Sequence, residues 1–469
     1  MARRTVQVIP AAGRLIRSLR DVGYDFMHAV ADLVDNSIAA RAGEVAIDMR
    51  FDGQDSWLRI ADNGIGMSGT MITEAMRFGS ERDYDTDDLG KFGLGLKTAS
   101  LSQCSRLTVA SRVDQDARRI EVRQWDLAHV ESTNRWEIID LPSDERPEHL
   151  TSPLQDRPGT VVLWEKLDRV LGYKVPWGDK ARAGFLRMAE QLDEHLAMVF
   201  HRFLSGEARR RKRLKITING TVVDPWDPFA REEKASISLA SRQFEVQTDD
   251  GPGLAGYTAF ILPHQHAFST PKAFDRYSGP SKWNYQQGFY IYRCDRMIQS
   301  GGWCHMRTSD EHTKLARVAL EFLPDLDYAF QLNVSKARVL LPSDLRSQLK
   351  PHVEEVARQA RKVYGSGPRA PGRPPGGSTA GRQPDPQPDP VPDPPGDTDG
   401  SADRGGSTGG ANDRGPAGTG PSGRMQHAPG AIGRALDAAA VRAGESAALT
   451  KIRSMLRQDN PEIADDIGW

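Results

Sequence analysis

The segment AVADLVDNSIAARA, residues 29–42, places three polar side chains inside a stretch whose apolar residues repeat at helical spacing. Asp32 and Asn36 are four residues apart and therefore share one face of the helix, with Asp35 beside them. A carboxylate is rarely buried without a partner, because removing an unpaired charge from water is costly. The sequence therefore predicts a buried helix that needs a positive group next to it.

Length and composition bound the rest of the chain. A chain of 469 residues with 38% hydrophobic content can form two or three domains with their own cores. The formal net charge is only -1, so binding to nucleic acid or to a membrane would need a local patch. The cysteines Cys104, Cys294 and Cys304 are odd in number and form no CxxC pair, which favours a reduced compartment without a zinc knuckle.

The chain shows no sign of a membrane or secretory protein. Its start, MARRTVQVIP, has two arginines but no apolar stretch behind them, so we expect no secretory signal. We find no run of about eighteen apolar residues that could span a bilayer. We therefore expect a cytoplasmic protein with no membrane partner.

The character of the sequence changes twice. Up to about residue 364, helical periodicity alternates with short strands such as VAIDMRF and GTVVLWEKL. Residues 365–430 are rich in Pro, Gly, Ser and Asp and predict a disordered linker, and residues 431–469 regain the alanine-rich spacing of a helical tail that needs a partner surface. The globular part divides near residue 206, where a helical stretch from Lys180 to Leu204 gives way to a basic run and the strand LKITING.

Two glycine-containing motifs follow the first helix. In IADNGIGM an apolar strand ends at Asp62, and the missing side chains of Gly64 and Gly66 would let a flat ligand lie against the backbone. In DLGKFGLGLKTAS, Gly90, Gly93 and Gly95 precede a helix whose N-terminal amides could receive phosphates. A single motif of this kind is most often just a turn, so the interpretation rests on their order and spacing.

In this order the motifs resemble the ATP-binding motifs of the GHKL superfamily, which includes gyrase-type topoisomerase subunits, heat-shock chaperones, histidine kinases and MutL mismatch-repair proteins. The resemblance implies an α+β fold, the GHKL (Bergerat) two-layer α/β sandwich, with ATP and Mg²⁺ as cofactors. It implies that Asp32 is the general base and that Asn36 binds the metal. The other nucleotide contacts that it implies are Asp62, Gly64, Gly66, Met67, the lid residues Gly90, Lys91, Phe92, Gly93, Leu94, Gly95, Leu96 and Lys97, and Thr160, which follows Gly159.

Later segments resemble the MutL and MORC members of the superfamily. HRFLSGEARRRKRLKITINGTVVDPWDPF is similar to the entry to their ribosomal-protein-like transducer domain, and FQLNVSKARVLLP is similar to its phosphate-sensing loop. The second similarity implies that Lys336 reaches back to the nucleotide and takes part in catalysis. We therefore expect an N-terminal strap over residues 1–20, an ATPase domain over 21–206 and a transducer domain over 207–364, followed by the linker and the tail.

The resemblance also implies a role. Such proteins dimerise on ATP to clamp DNA, so we expect a DNA-bound homodimer in a restriction, phage-defence or repair complex, with a nuclease or helicase partner recruited by the tail. DNA would contact the basic run Arg209, Arg210, Arg211, Lys212 and Arg213, although charge runs are usually solvated faces. A chaperone-like ATPase acting on protein substrates is the alternative.

One departure from the family concerns the base. Most MutL and MORC members carry glutamate where this chain has Asp32, and aspartate is shorter by one methylene. Because a misplacement of about 1 Å near the reacting atoms can cost about a hundredfold in rate, we expect slow hydrolysis. His264 with His266, and Cys304 with His305, lack the further ligands or catalytic partners of a metal site or a thiol enzyme, so they are interpreted as loop histidines and a buried thiol.

Overall fold

The structure of the chain is a computed structural model. It describes residues 10–21, 24–79, 95–113, 119–249, 251–280, 282–333, 336 and 339–366, together with residues 453 and 457. The chain divides into two units, Met1–Gly376 and Gly377–Trp469. The predicted linker lies outside the described residues except for residues 365 and 366, and the predicted tail lies outside them except for residues 453 and 457.

The first unit combines helices and strands throughout. Its helices are α1 (Ala12–Arg20), α2 (Phe26–Ala39), α3 (Gly69–Met76), α4 (Gly95–Leu101), α5 (Leu127–Thr133), α6 (Glu148–Thr151), α7 (Asp179–Val199), α8 (His201–Ser205), α9 (Pro271–Tyr277), α10 (Lys282–Gln286) and α11 (Ser343–Gly365). Its strands are β1 (Glu44–Arg50), β2 (Trp57–Asp62), β3 (Arg106–Arg112), β4 (Glu121–Asp126), β5 (Ile139–Asp140), β6 (Gly159–Glu165), β7 (Lys215–Ile218), β8 (Thr221–Val222), β9 (Ile237–Ser238), β10 (Arg242–Thr248), β11 (Gly251–Ile261), β12 (Gly288–Arg293), β13 (Arg296–Ser300) and β14 (Ala316–Phe322). Among the described residues, no helix has the length and apolar character needed to cross a bilayer.

The first sheet has the strand order β5-β4-β3-β6-β2-β1-β7-β8. Its neighbours run antiparallel except β1 and β7, which are parallel. One face packs on α2, α4 and α7 through a large apolar core that includes Ile47, Leu107 and Trp164. Val161 and Leu163 of β6 belong to a smaller apolar cluster on the other face of the sheet. Val162 and Trp164, which alternate with them along the strand, belong to the large core. This layer of helices on a mixed sheet is the α/β arrangement expected from the sequence.

The second sheet has the order β10-β11-β14-β12-β13, with β9 paired to β11. Helix α11 lies against β10, β11 and β14 and buries Leu345, Leu349 and Val353 in a second core. Tyr290 and Tyr292 of β12 belong instead to the core of the first sheet. The two sheets therefore share packed side chains and form one unit.

Two details differ from the sequence-based expectation. The helical stretch expected to run from Lys180 to Leu204 is divided at Phe200 into α7 and α8, because Phe200 has φ -106° and ψ 16°. The strand expected to open the second domain, β7, joins the first sheet beside β1.

Candidate functional site

Helix α2 carries the polar side chains that the sequence singled out. The helix begins after Asp25, whose side chain accepts a hydrogen bond of 3.0 Å from the His28 backbone N–H and so caps the first turn. Asp32 and Asp35 are 2% and 0% exposed, whereas Asn36 is exposed. The helix is thus buried on most sides and open to solvent at Asn36.

Lys336 is the positive group that the buried carboxylates require. It lies between β14 and α11, and its Nζ donates to Asp32 Oδ1 at 3.0 Å and to Asp35 Oδ2 at 2.8 Å. The Lys336 residue is only 5% exposed and has φ 48°, an unusual left-handed conformation for a lysine. The lysine that the family resemblance singled out therefore contacts the helix that carries the predicted base.

Arg296 is a second buried cation next to Asp35, and the sequence did not predict it. A two-residue turn joins β12 to β13, with φ 48° at Cys294 and 67° at Asp295, and Arg296 is the first residue after it. Arg296 Nε lies 3.0 Å from Asp35 Oδ1 and 2.9 Å from Oδ2, and Nη1 donates to the Lys336 carbonyl oxygen at 3.2 Å. The available signal was a pair of arginines, Arg293 and Arg296, in a stretch whose other residues are mostly aromatic or apolar.

Two further groups enclose Asp32. The Tyr24 hydroxyl donates to Asp32 Oδ2 at 3.0 Å. Burial, with a smaller effect of the Asp32 charge, raises the pKa of Tyr24 well above its usual range, so the phenol stays protonated and can donate. A Cβ placed on Gly95, at the start of α4, would lie 3.2 Å from Asp32 Oδ2. Glycine at residue 95 thus lets α4 approach the carboxylate closely.

Asp62 lies at the end of β2 in a row of polar side chains. The register pairs Asp62 with Thr160 across β2 and β6, and Thr160 with Ser111 across β6 and β3. Asp62 accepts hydrogen bonds from the Ser37 hydroxyl at 3.1 Å and from the Gly64 backbone N–H at 2.8 Å. Burial raises the pKa of Asp62 to about 6, and these two hydrogen bonds oppose that rise.

The backbone near Asp62 requires glycine at two positions. Gly66 has φ 70°, and a Cβ there would lie 1.9 Å from the Arg112 carbonyl oxygen. Gly159 has φ 150°, and a Cβ there would lie 2.0 Å from the Asp62 carbonyl oxygen. Met67 is held beside them because its backbone N–H donates to Ser111 Oγ at 2.8 Å. These contacts bring the predicted nucleotide contacts from Asp62 to Met67 and the strand carrying Thr160 together at the same end of the sheet.

The predicted phosphate lid is only partly described. Gly90, Lys91, Phe92, Gly93 and Leu94 lie outside the described residues, whereas Gly95, Leu96 and Lys97 form the first turn of α4. Lys97 is 1% exposed and its Nζ donates to the Ala75 carbonyl oxygen at 3.0 Å. Burial lowers the pKa of Lys97 to about 8, which makes this ammonium easier to neutralise than an ordinary lysine.

The basic run is partly used inside the molecule. Arg209 forms an ion pair of 2.7 Å with Glu321 of β14, and its backbone N–H donates to Asp295 Oδ2 at 2.8 Å. Arg213 Nε donates to the Leu204 carbonyl oxygen at 2.9 Å. Lys212 and Arg210 are exposed, while Arg211 is half-buried. The run therefore attaches the end of α8 to the second sheet as well as presenting positive charge.

The histidine and cysteine pairs stand apart from this site. His264 and His266 have stacked rings 5.3 Å apart, and the Cys304 thiol has its pKa raised to about 11 by burial. Within the described ranges, no group of three or more His, Cys, Asp or Glu residues is placed to hold a metal ion.

Comparison with known proteins agrees with the resemblance. Residues 24–160 match the family described as histidine kinase-, DNA gyrase B-, and HSP90-like ATPases. The chain is also 31% identical over 111 residues to the DNA mismatch repair protein MutL of Fervidobacterium nodosum, a stretch that covers 23% of this chain and 19% of that relative. The matched family segment contains Asp32, Asn36, Asp62 and the glycine motifs.

Proposed function

We propose that the chain binds and hydrolyses ATP with Mg²⁺, because it carries an ATPase domain of the GHKL superfamily and is similar to MutL over 111 residues. The observation that carries the proposal is the contact of the Lys336 ammonium with the carboxylates of α2. Its Nζ lies 3.0 Å from Asp32, the predicted base, and Asn36 is exposed one helical turn along from Asp32. The segment between β14 and α11 thus places a cation next to the helix that would hold the metal and activate water.

The residues at this place suit a magnesium nucleotide. Mg²⁺ prefers oxygen ligands, and Asn36 offers an amide oxygen on the exposed side of an otherwise buried helix. Gly64 and Gly66 let the chain pack closely next to Asp62, since a Cβ there would lie 2.7 Å from the Ala40 carbonyl oxygen or 1.9 Å from the Arg112 carbonyl oxygen. The Asp62 carboxylate can accept a hydrogen bond from an amino group on a flat base. Bound Mg²⁺ would supply charge compensation for the phosphates.

Asp32 and Lys336 would carry the chemistry. Asp32 acts as the general base on the attacking water after Lys336 has moved from it toward the terminal phosphate. Because aspartate is shorter than the glutamate of most relatives, and because Lys336 competes for the same carboxylate, we propose slow turnover.

Three variants test the ATPase proposal. Asn36→Ala should abolish magnesium-dependent ATP binding, whereas Asp32→Asn should keep binding and slow hydrolysis by at least about 100-fold, since only the base is lost. Asn284→Ala changes an exposed asparagine in α10 and should leave both unchanged. Binding is measured by equilibrium dialysis and hydrolysis by phosphate release. If Asp32→Asn hydrolyses ATP at the parent rate, Asp32 is not the base.

We also propose that ATP binding closes a homodimer around DNA. The support is the match to a DNA mismatch repair protein, together with the exposed charge of Arg210 and Lys212 at the joint between the two sheets. A non-hydrolysable ATP analogue should convert the chain from monomer to dimer in sedimentation. An unchanged monomer at saturating analogue would remove the clamp from the proposal.

The basic run gives a test of DNA binding. Arg210→Glu with Lys212→Glu alters exposed side chains and leaves the ion pair of Arg209 intact. Each lost phosphate contact should flatten the dependence of log affinity on log salt by about 0.9. Lys174→Glu with Lys180→Glu, also exposed but outside the run, is the matched control. If both pairs behave alike and unfolded protein stimulates ATP hydrolysis, the chaperone-like alternative replaces the clamp.

A further inference from the structure

Four charged side chains are buried together between α2 and the second sheet. Asp32, Asp35, Lys336 and Arg296 are all at most 5% exposed, and they comprise two negative and two positive groups. Asp35 receives both cations, Arg296 through Nε and Lys336 through Nζ. Of these two cations, Asp32 receives Lys336 only, together with the Tyr24 hydroxyl. Lys336 is therefore shared between the carboxylates, while the Arg296 side chain pairs with Asp35.

We propose that Arg296 is a positioning residue that releases Lys336 for the nucleotide. Arg296 keeps the Asp35 charge compensated when the Lys336 ammonium leaves, and its Nη1 holds the Lys336 backbone through the 3.2 Å contact with the carbonyl oxygen. The departing ammonium needs an anionic destination, which is the terminal phosphate if the proposed ATPase function is correct. Arg296 itself does not touch that phosphate in this role.

The physical reason is the cost of leaving a buried charge alone. Asp35 is 0% exposed, so water cannot replace a lost counterion. With Arg296 in place, moving Lys336 away leaves the pair of Asp35 and Arg296 complete. Asp32 then keeps the Tyr24 hydrogen bond and is left as the carboxylate that acts on water. Without Arg296, the same movement leaves Asp35 with no directly bonded cation among the residues that the structure describes, and Lys336 is retained by the aspartates. The guanidinium thus determines whether the lysine can move.

A feature of Arg296 itself agrees with a positioning role. Its Nη2 is buried and has no hydrogen-bond partner among the described atoms. A buried donor left unpaired is unfavourable, so this guanidinium is not placed for full hydrogen-bond satisfaction. Its other nitrogen atoms contact Asp35 and the carbonyl oxygens of Met297 and Lys336, and the contacts with Asp35 and Lys336 are those that a positioning role requires.

The test is a charge-compensation cycle in the full chain. Arg296→Met should lower kcat for ATP by about 100-fold while KM stays within about threefold, because the lysine is held back but the nucleotide contacts remain. Adding Asp35→Asn to Arg296→Met removes the charge that retains Lys336 and should restore kcat at least about tenfold. Arg296→Lys, which keeps the positive charge, should fall between the parent and Arg296→Met.

A neighbouring pair provides the matched control. Arg293, which faces Arg296 across the turn of the same hairpin, forms another buried ion pair with Asp327, with Nε 2.7 Å from Oδ1. Arg293→Met with Asp327→Asn should lower stability but leave kcat of the folded chain within about threefold. The proposal is overturned if Arg296→Met has the kcat of the parent. It is also overturned if the double variant Arg296→Met with Asp35→Asn has a kcat no higher than that of Arg296→Met alone.

A second readout separates this proposal from the ATPase proposal. In the nucleotide-free chain, acetylation of Lys336 by an amine-reactive reagent reports whether its ammonium is enclosed. The parent and Arg296→Met should both be protected, and addition of MgATP should change the labelling of the parent alone. If the parent binds no ATP, the proposed function fails. The charge compensation is then tested by urea unfolding. Adding Asp35→Asn to Arg296→Met should recover part of the free energy of unfolding that Arg296→Met loses. If it recovers none, the pairing of Arg296 with Asp35 is refuted.

Discussion

Asp62 makes the stability of the chain depend on pH in a defined direction. Burial raises its pKa from 3.8 to about 6, so between these values the folded chain holds a proton that the unfolded chain has released. The protonated carboxyl favours the fold fully below pH 3.8, and this contribution is lost as the pH rises through 6. Asp62 therefore opposes folding most strongly at neutral pH.

The size of the effect follows from the shift. A difference of about 2 pKa units, at about 1.4 kcal/mol each, corresponds to about 3 kcal/mol between acid and neutral pH. Asp62 is only 7% exposed, so solvent screening does not reduce this figure much. Urea unfolding of the nucleotide-free chain should be measured from pH 4 to 7 for the parent and for Asp62→Asn. The free energy of unfolding of the parent should fall relative to the variant by about 2 to 3 kcal/mol over that range.

The same titration predicts how nucleotide binding responds to pH. If Asp62 accepts a hydrogen bond from the adenine amino group, binding favours the ionised carboxyl, and ATP affinity should rise with pH through about 6. An ATP analogue that lacks the amino group should show no such rise. This account of Asp62 is refuted if the free energies of unfolding of the parent and of Asp62→Asn differ by the same amount at every pH and the ATP affinity of the parent is also independent of pH.

Two further predictions concern packing. Lys336→Met should lower the free energy of unfolding by about 3 to 5 kcal/mol in urea because it breaks a buried ion pair, and Asp32→Asn in the same chain should recover part of that loss. Gly66→Ala should lower it by about 3 kcal/mol, because the added Cβ would lie 1.9 Å from the Arg112 carbonyl oxygen at a residue with φ 70°. Gly43→Ala, where a Cβ meets nothing within 4 Å, is the control and should change little.

Much of the local structure could be predicted from the sequence. The periodicity of residues 29–42 identified α2, and the sequences VAIDMRF and GTVVLWEKL identified β1 and β6, because side-chain spacing along one element is a local property. The same reasoning also indicated that the carboxylates of α2 need a positive group. It could not say which one, because charge alone does not select among the 62 Lys and Arg residues of the chain.

The long-range pairings were the part that sequence could not supply. Arg296 is 261 residues from Asp35 and reaches it only because a tight turn and the packing of the second sheet bring β13 to α2. Lys336 was identified through family resemblance, and its separation of 304 residues from Asp32 leaves no local signal. Partner choice at such distances depends on the tertiary fold, which residue spacing along the chain does not encode.

The parallel pairing of β7 with β1 has a consequence for how this protein can be divided. In the intact chain, Lys215–Ile218 covers the outer side of β1, from Glu44 to Ile47. A fragment that ends at residue 206 would leave the N–H and C=O groups of β1 unpaired along an exposed edge, next to the apolar side chains of Val45 and Ile47. Such an edge can add strands from other chains and aggregate, whereas a fragment that extends through β8, Thr221–Val222, keeps it covered. The same dependence means that the first sheet cannot be completed during synthesis until β7 has emerged from the ribosome.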